Sequence, residues 1–235
     1  MTSALELCDV HAAYGPFRSL FGVSLTIAPG EAVALVGPNG AGKTTLARAA
    51  SGLIQPSAGA VLVAGREMTG RPAYRFARAG VAHTPEGRSV YATLSVEENL
   101  VLSIRRIRGR RGVANGLATA FDLFPILSKR RAQLAGTLSG GEQRMLALAR
   151  VLVDAPKVLI ADELSLGLAP LIVAQVYASL EKLRGFGTAL LVIEQQISHA
   201  LDLCERVAIL DHGTIRWAGS TEDARDRITT QLGAM

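Results

Sequence analysis

Several things are scarce in this 235-residue chain, and each scarcity excludes something. There are two cysteines, Cys8 and Cys204, far apart and in no metal-ligand spacing, which argues against a Cys-based metal site. They read as two small buried hydrophobes. No apolar run approaches the roughly 18 residues that would suggest a membrane span. The start, Met1 to Glu6, lacks the basic stretch and apolar core of a signal peptide, so a cytoplasmic location is expected. Aromatics make up 5% and charged residues 19%, while 49% are apolar. The low charge and short, almost wholly apolar runs favour a parallel sheet buried on both faces. The net charge of +5 suits a membrane surface or nucleic acid, and its plainer reading is solubility. No internal repeat or low-complexity tail is evident, and the length suits one domain with an appendage or two small domains.

What is present centres on one stretch, Gly37-Pro38-Asn39-Gly40-Ala41-Gly42-Lys43-Thr44-Thr45, which fits Gly-x-x-x-x-Gly-Lys-Thr. Glu31 to Val36 before it reads as a buried strand, and Thr44 to Ala50 after it as a helix. A glycine-rich turn between strand and helix aims successive N–H groups into one concavity, and the helix dipole adds positive potential there. A polyphosphate is the expected ligand. Lys43 is expected to reach the outer phosphates, the Thr44 hydroxyl to bind Mg²⁺, and Thr45 to reach another phosphate oxygen. About two dozen residues upstream, Tyr14 is placed either to stack on a purine or to pack at a strand edge.

The rest of the chain supplies strands at Leu5–Val10, Val23–Ile27, Ala60–Val63 and Gly80–Thr84, and a short helix over Pro72–Ala79. From Arg88 to about Leu152 the pattern is helical, with breaks near Gly112, Gly116 and Pro125, and reads as a helical insertion in an α/β core. Ser95 and Glu98 form a capping box at one helix start. Arg105, Arg106, Arg108, Arg110 and Arg111 form a basic run, either a nucleic-acid patch or a solvated helix end. Ser139 caps a helix whose first residues, Gly140 and Gly141, leave N–H groups open to a second anion. Val158 to Glu163 is an apolar strand ending in two acids. Carboxyl ends of parallel strands face the ligand, so Asp162 is placed to share Mg²⁺ with Thr44 and Glu163 to orient or deprotonate water. Pro170–Leu183 is a helix, Ala189–Ile193 a strand, Ile197–Leu203 a helix and Arg206–Leu210 a strand. Asp211-His212-Gly213 turns into Ile215–Trp217, and Ser220 with Thr221 opens a last helix.

The order of phosphate loop, then Leu138-Ser139-Gly140-Gly141-Glu142-Gln143, then a strand ending Asp162-Glu163 resembles the ATP-binding subunit of an ABC transporter over nearly the whole chain. The resemblance implies a phosphate-loop NTPase (RecA-like) α/β core, an antiparallel β-subdomain and an inserted helical subdomain at 88–152, all one domain. It implies ATP and Mg²⁺ as cofactors. Tyr14 matches the adenine-stacking aromatic, Gly37 to Thr45 the Walker A loop, Asp162 the Walker B acid and Glu163 the catalytic glutamate. Ser139 to Glu142 match the signature that closes over the ATP of an opposite subunit. Glu86 stands where most members carry the glutamine that touches Mg²⁺, and Gln195 where most carry the switch histidine. His199 lies too far on to replace it. The loop after Glu163 lacks the usual aspartate. Pro85 to Arg88, Leu94 to Leu100, Leu166 to Pro170 and Glu194-Gln195 resemble the shorter ATP-binding subunit of branched-chain amino acid importers, with urea and amide importers close by. The implied partners are membrane permease subunits, a second ATP-binding subunit (a copy or a longer homologue) and, indirectly, a solute-binding protein. The implied location is the inner face of the cell membrane. The other class considered is a soluble ABC-type ATPase acting on nucleic acid or protein complexes through the arginine run; no nucleic-acid partner is expected.

Overall fold

The computed structural model describes residues 2–84, 90–153, 156–194 and 197–225, with backbone only at 106–108 and 197–198. The chain divides into two compact units. The first comprises residues 1–83, 157–163 and 184–235; the second comprises 84–156 and 164–183.

The first unit is built on two sheets. Strands β1 (Leu5–Tyr14), β2 (Phe17–Ile27), β4 (Ala58–Val63) and β5 (Arg66–Glu67) form a four-stranded sheet in the order β2-β1-β4-β5, antiparallel throughout. The second sheet has six strands in the order β10-β9-β3-β8-β7-β6. Its members are β3 (Ala32–Val36), β6 (Val81–Thr84), β7 (Val158–Asp162), β8 (Ala189–Ile193), β9 (Arg206–Asp211) and β10 (Thr214–Ser220). Strands β9, β3, β8 and β7 run parallel, and β10 returns antiparallel to β9. Every residue of β3, β7 and β8 is buried, as their unbroken apolar runs require of strands covered on both faces. Helix α1 (Lys43–Ala50) contributes Leu46, Ala47, Ala49 and Ala50 to one core with Leu5, Val23, Ile27, Leu35, Ile160 and Leu191 of the two sheets.

The first hairpin is longer than the expected strands. β2 begins at Phe17, six residues before Val23, and pairs Tyr14 with Phe17 across Gly15. Residues 17–22 hold too few alternating apolar positions to announce a strand; pairing with β1 extends it. Helix α2 (Ala73–Ala79) precedes β6, where Ser51 and His83 meet. The Ser51 hydroxyl donates to Ala47 O at 2.8 Å, so the His83 ring must donate from Nδ1 to Ser51 Oγ, 3.0 Å away. That leaves Nε2 buried without a hydrogen-bond partner among the described residues. Burial, with the Arg48 charge adding to it, pushes the His83 pKa down to about 4.

In the second unit, α3 (Val96–Arg108), α4 (Val113–Leu123), α5 (Pro125–Lys129), α6 (Gly140–Leu152) and most of α7 (Pro170–Gly185) are joined by short turns, with α3 packing on α4 and α6. The capping box is present at the start of α3, where Ser95 accepts from Glu98 N–H and Glu98 from Ser95 N–H. Fully buried Asn99 fixes the approach to α3. Its Oδ1 accepts from Tyr91 N–H at 2.8 Å, and its amide donates to the carbonyls of Tyr91 and Ser95, both at 3.0 Å. The expected break at Gly116 is not one. Gly116 lies inside α4, where a Cβ would stand 2.8 Å from the Ile104 side chain, so the glycine is there for close helix packing. Of the basic run, Arg105, Arg110 and Arg111 are exposed, and the side chains of Arg106 and Arg108 lie outside the described residues. The last helix begins at Thr221, and Ser220 caps it by accepting from Asp223 N–H at 3.1 Å.

His83 gives a pH prediction. Its folded pKa lies below the unfolded value, so below about pH 6.5 the unfolded chain takes up a proton that the folded chain refuses. Its contribution is constant above that pH and is lost as the pH falls toward about 4. Denaturant melts at stepped pH should show up to about 3 kcal/mol of acid destabilisation that His83→Gln abolishes. An unchanged pH slope in the variant would remove His83 as the cause.

Candidate functional site: a phosphate loop between two sheets' edges

Strand β3 delivers the chain into the loop, and the loop's glycines answer to neighbouring backbone. A Cβ on Gly37 would stand 2.0 Å from Leu210 O of β9, and one on Gly42 2.9 Å from Ser19 O of β2. Both positions must be glycine for the loop to sit so close to its flanking strands. Gly42 takes a left-handed φ of 105° and caps α1 with no side chain. The first intrahelical bond is donated by Leu46 N–H to Gly42 O at 2.9 Å. The N–H groups of Lys43, Thr44 and Thr45 precede it, and no acid occupies the first turn. An uncapped helix start following a glycine loop has the donors and dipole that favour an anion. The far side of the loop is braced by the β9–β10 hairpin, where Gly213 donates to Ala41 O at 2.9 Å and accepts from Phe21 N–H at 2.9 Å.

Lys43 is 5% exposed. Its ammonium donates to Gly37 O at 2.7 Å and Pro38 O at 3.0 Å, so it lies along the loop. Burial lowers its pKa, and the charges of Glu163 and Asp162 pull the other way without cancelling it. The loop lysine and the two strand-end acids therefore share one electrostatic neighbourhood. Asp162 ends β7 at 2% exposure. Glu163 follows in a left-handed conformation, φ 49°, with its N–H bonded to Ile193 O at 2.8 Å. A non-glycine residue held there is strained, and such strain gathers where a side chain must be aimed.

Thr44 is exposed at the helix start, whereas Thr45 is buried and its hydroxyl lies 2.8 Å from Ser19 Oγ. Tyr14 stands at the end of β1, and its hydroxyl accepts from Arg48 Nη1 at 3.3 Å. A cavity of about 740 Å³ joins Tyr14 to Gly40, with Phe17, Phe21 and His212 along its walls. Of the expected site residues, the structure thus gathers Tyr14, Gly37 to Thr45, Asp162 and Glu163 within the first unit.

Ser139 to Glu142 belong to the second unit and form the start of α6. Ser139 accepts from Glu142 N–H at 3.3 Å, and a Glu142 carboxylate oxygen accepts from Ser139 N–H at 2.9 Å. Gln143 N–H is bonded to Ser139 O at 2.9 Å. Burial pushes the Glu142 carboxyl up, and hydrogen bonds from Ser139 and Arg130 more than reverse it, holding it below the usual carboxylate range. Glu142 is thus a capping residue, held by Arg130 at 2.6 Å. Glu86 and Gln195 lie outside the described residues.

Sequence reasoning missed Ser19, Arg48 and Gly213. The turn at Gly213 is legible but its contact with the loop is not, and no local pattern marks Ser19 or Arg48, which reach the site through strand pairing and a helix face.

A glycine phosphate loop between a parallel strand and a helix, with acids at the end of a second strand, defines a phosphate-loop nucleotide hydrolase. The sequence profile of the ABC transporter family matches residues 20–165. The chain is 40% identical over 211 residues to the high-affinity branched-chain amino acid transport ATP-binding protein BraG of Pseudomonas aeruginosa, covering 90% of each. It is 35% identical over 225 residues to the lipopolysaccharide export system ATP-binding protein LptB of Haemophilus influenzae, covering 94% of this chain and 92% of that one. A solved structure of an ATP-binding subunit of an ABC transporter superposes with a TM-score of 0.85 at 26% identity, covering 98% of this chain and 94% of the other. The chain belongs to the ABC transporter family and is an ATPase of it. Among the described residues no helix is long and apolar enough to cross a membrane.

Replacing Lys43 by Ala should weaken ATP binding about 10- to 100-fold, as loss of a charge-assisted contact implies. Equilibrium titration with a fluorescent ATP analogue measures it, and unchanged affinity would argue against the loop as the phosphate site.

Proposed function

We propose that this chain is the ATP-hydrolysing subunit of an importer of branched-chain amino acids, acting as one ATPase domain against membrane permease subunits. The observation that supports it most is the shared neighbourhood of Lys43, Asp162 and Glu163 at a loop whose Gly40 lines a cavity that also reaches Tyr14. On this reading the base lies against Tyr14, and the loop from Gly37 to Thr45 holds the polyphosphate through its amides and Lys43.

Asp162 and the Thr44 hydroxyl are hard oxygen donors. Among the described residues no group of three or more His, Cys, Asp or Glu could hold a metal ion alone. That donor set fits Mg²⁺, which keeps several waters and shares phosphate oxygens instead of a full protein cage. Bound there, the ion would offset phosphate charge beside two carboxylates. Glu86, the further ligand implied by resemblance, would add a third carboxylate. Glu163 then orients or deprotonates the attacking water beside the terminal phosphate. Gln195 would contribute an amide hydrogen bond to that phosphate and no proton. The N–H groups of Gly140 and Gly141, with Ser139, would meet the ATP of a second ATP-binding subunit related by a two-fold axis. A chain so partnered works at the inner face of the cell membrane, and a solute-binding protein acts on it only through the permease.

The branched-chain cargo rests on the 40% identity to BraG, against 35% to LptB of the lipopolysaccharide export system. Urea or amide import is the second reading within the same role, on the resemblance of the loop and strand-end motifs.

Glu163→Gln should bind ATP like the parent and lower turnover at least about 100-fold, the contribution typical of a positioned base. Undiminished phosphate release would remove Glu163 from that role. Cells lacking the chain should lose energised uptake of radiolabelled leucine and valine and keep lipopolysaccharide at the surface. The opposite pattern would exclude the import reading.

A further inference from the structure

The β1–β2 hairpin carries Tyr14 at one end of its turn and Ser19 just beyond the other. Ser19 belongs to no expected motif, yet three features fix its place. Its hydroxyl lies 2.8 Å from the buried Thr45 hydroxyl. Its carbonyl is the atom a Cβ would strike at Gly42, 2.9 Å away, and at Gly213, 2.3 Å away. Its strand is tied to the opposite hairpin by the bond from Phe21 N–H to Gly213 O, 2.9 Å. Ser19 also lines the cavity that reaches Gly40.

Resting on the nucleotide-site reading, we propose that Ser19 is a positioning residue that sets the Thr45 hydroxyl to donate to a phosphate oxygen of the bound nucleotide. Each hydroxyl has one hydrogen to give and two lone pairs to accept with. In the pair either oxygen can donate. Once Thr45 spends its hydrogen on a phosphate, the bond to Ser19 survives only if Ser19 donates. A phosphate therefore selects one direction along the chain, Ser19 to Thr45 to phosphate, and Ser19 fixes the rotor of a β-branched side chain already stiff at χ1. The same hairpin then grips the nucleotide twice, with Tyr14 on the base and, through Thr45, on the phosphates.

The experiment is a double-mutant cycle in ATP affinity, by titration with Mg-ATP, with thermal melting of the nucleotide-free protein alongside. Ser19→Ala should weaken ATP binding about three- to tenfold, the loss of one well-placed hydrogen bond. Ser19→Thr, which returns the hydroxyl, should restore it. In a Thr45→Val background the Ser19→Ala loss should vanish, because no hydroxyl remains to be positioned. Wild-type affinity in Ser19→Ala, or a full additional loss on Thr45→Val, would overturn the proposal. So would a loss that tracks the melting temperature and is not rescued by threonine. Lys43→Ala in the same titration separates the two levels. If it weakens binding while Ser19→Ala does not, only the role of Ser19 falls. If it binds ATP normally, the site reading falls with it.

Discussion

The structure turns on how a nearly buried ammonium is compensated. Lys43 is 5% exposed and held by two loop carbonyls, with Asp162 and Glu163 close enough to act on its charge. Drawing that charge away from water costs free energy unless partners supply what water would have. Those partners come from separated parts of the chain, so the sheet order is a requirement of the charge as much as of the core. β8 lies between β3, which feeds the loop, and β7, which ends at Asp162. That spacing brings acid and lysine together on the carboxyl edge of the sheet, the edge where ligands bind in open α/β folds.

Backbone crowding fixes the loop as firmly as charge does. Gly37 and Gly42 lie against carbonyls of β9 and β2, and Gly213 completes the brace from the β9–β10 turn. Loops are usually the soft part of a site. Here the loop is wedged between two strands and a hairpin, which preorganises its amides and lowers the ordering cost of gripping an anion. The strain at Glu163 belongs to the same design: a residue at φ 49° is affordable only where the surrounding bonds, such as that to Ile193 O, hold it.

Much of this could be read from residues alone because the informative signals are local. Gly37 to Thr45 carries its turn chemistry in consecutive positions, and the runs at Ala32–Val36, Val158–Asp162 and Ala189–Ile193 are too apolar to be anything but covered strands. The capping box at Ser95 declares itself by a glutamate three residues on, and Ser139 is legible as a cap, though the part Glu142 plays in completing a second box was not. What escaped was set by distant partners. β2 starts at Phe17 because β1 pairs with it, and Gly116 looked like a helix break because its reason, Ile104 on another helix, is not adjacent in sequence. The Ser19–Thr45 contact spans 26 residues and two elements, and no spacing rule announces it.

On the proposed reading, the loop from Gly37 to Thr45 and the start of α1 hold a polyphosphate by their backbone amides. Amide hydrogen exchange with and without Mg-ATP tests it most directly. Slowing should concentrate on the amides of residues 39–46, with little change along β4 and β5. Exchange in that loop that ignores Mg-ATP, with protection appearing elsewhere, would contradict it.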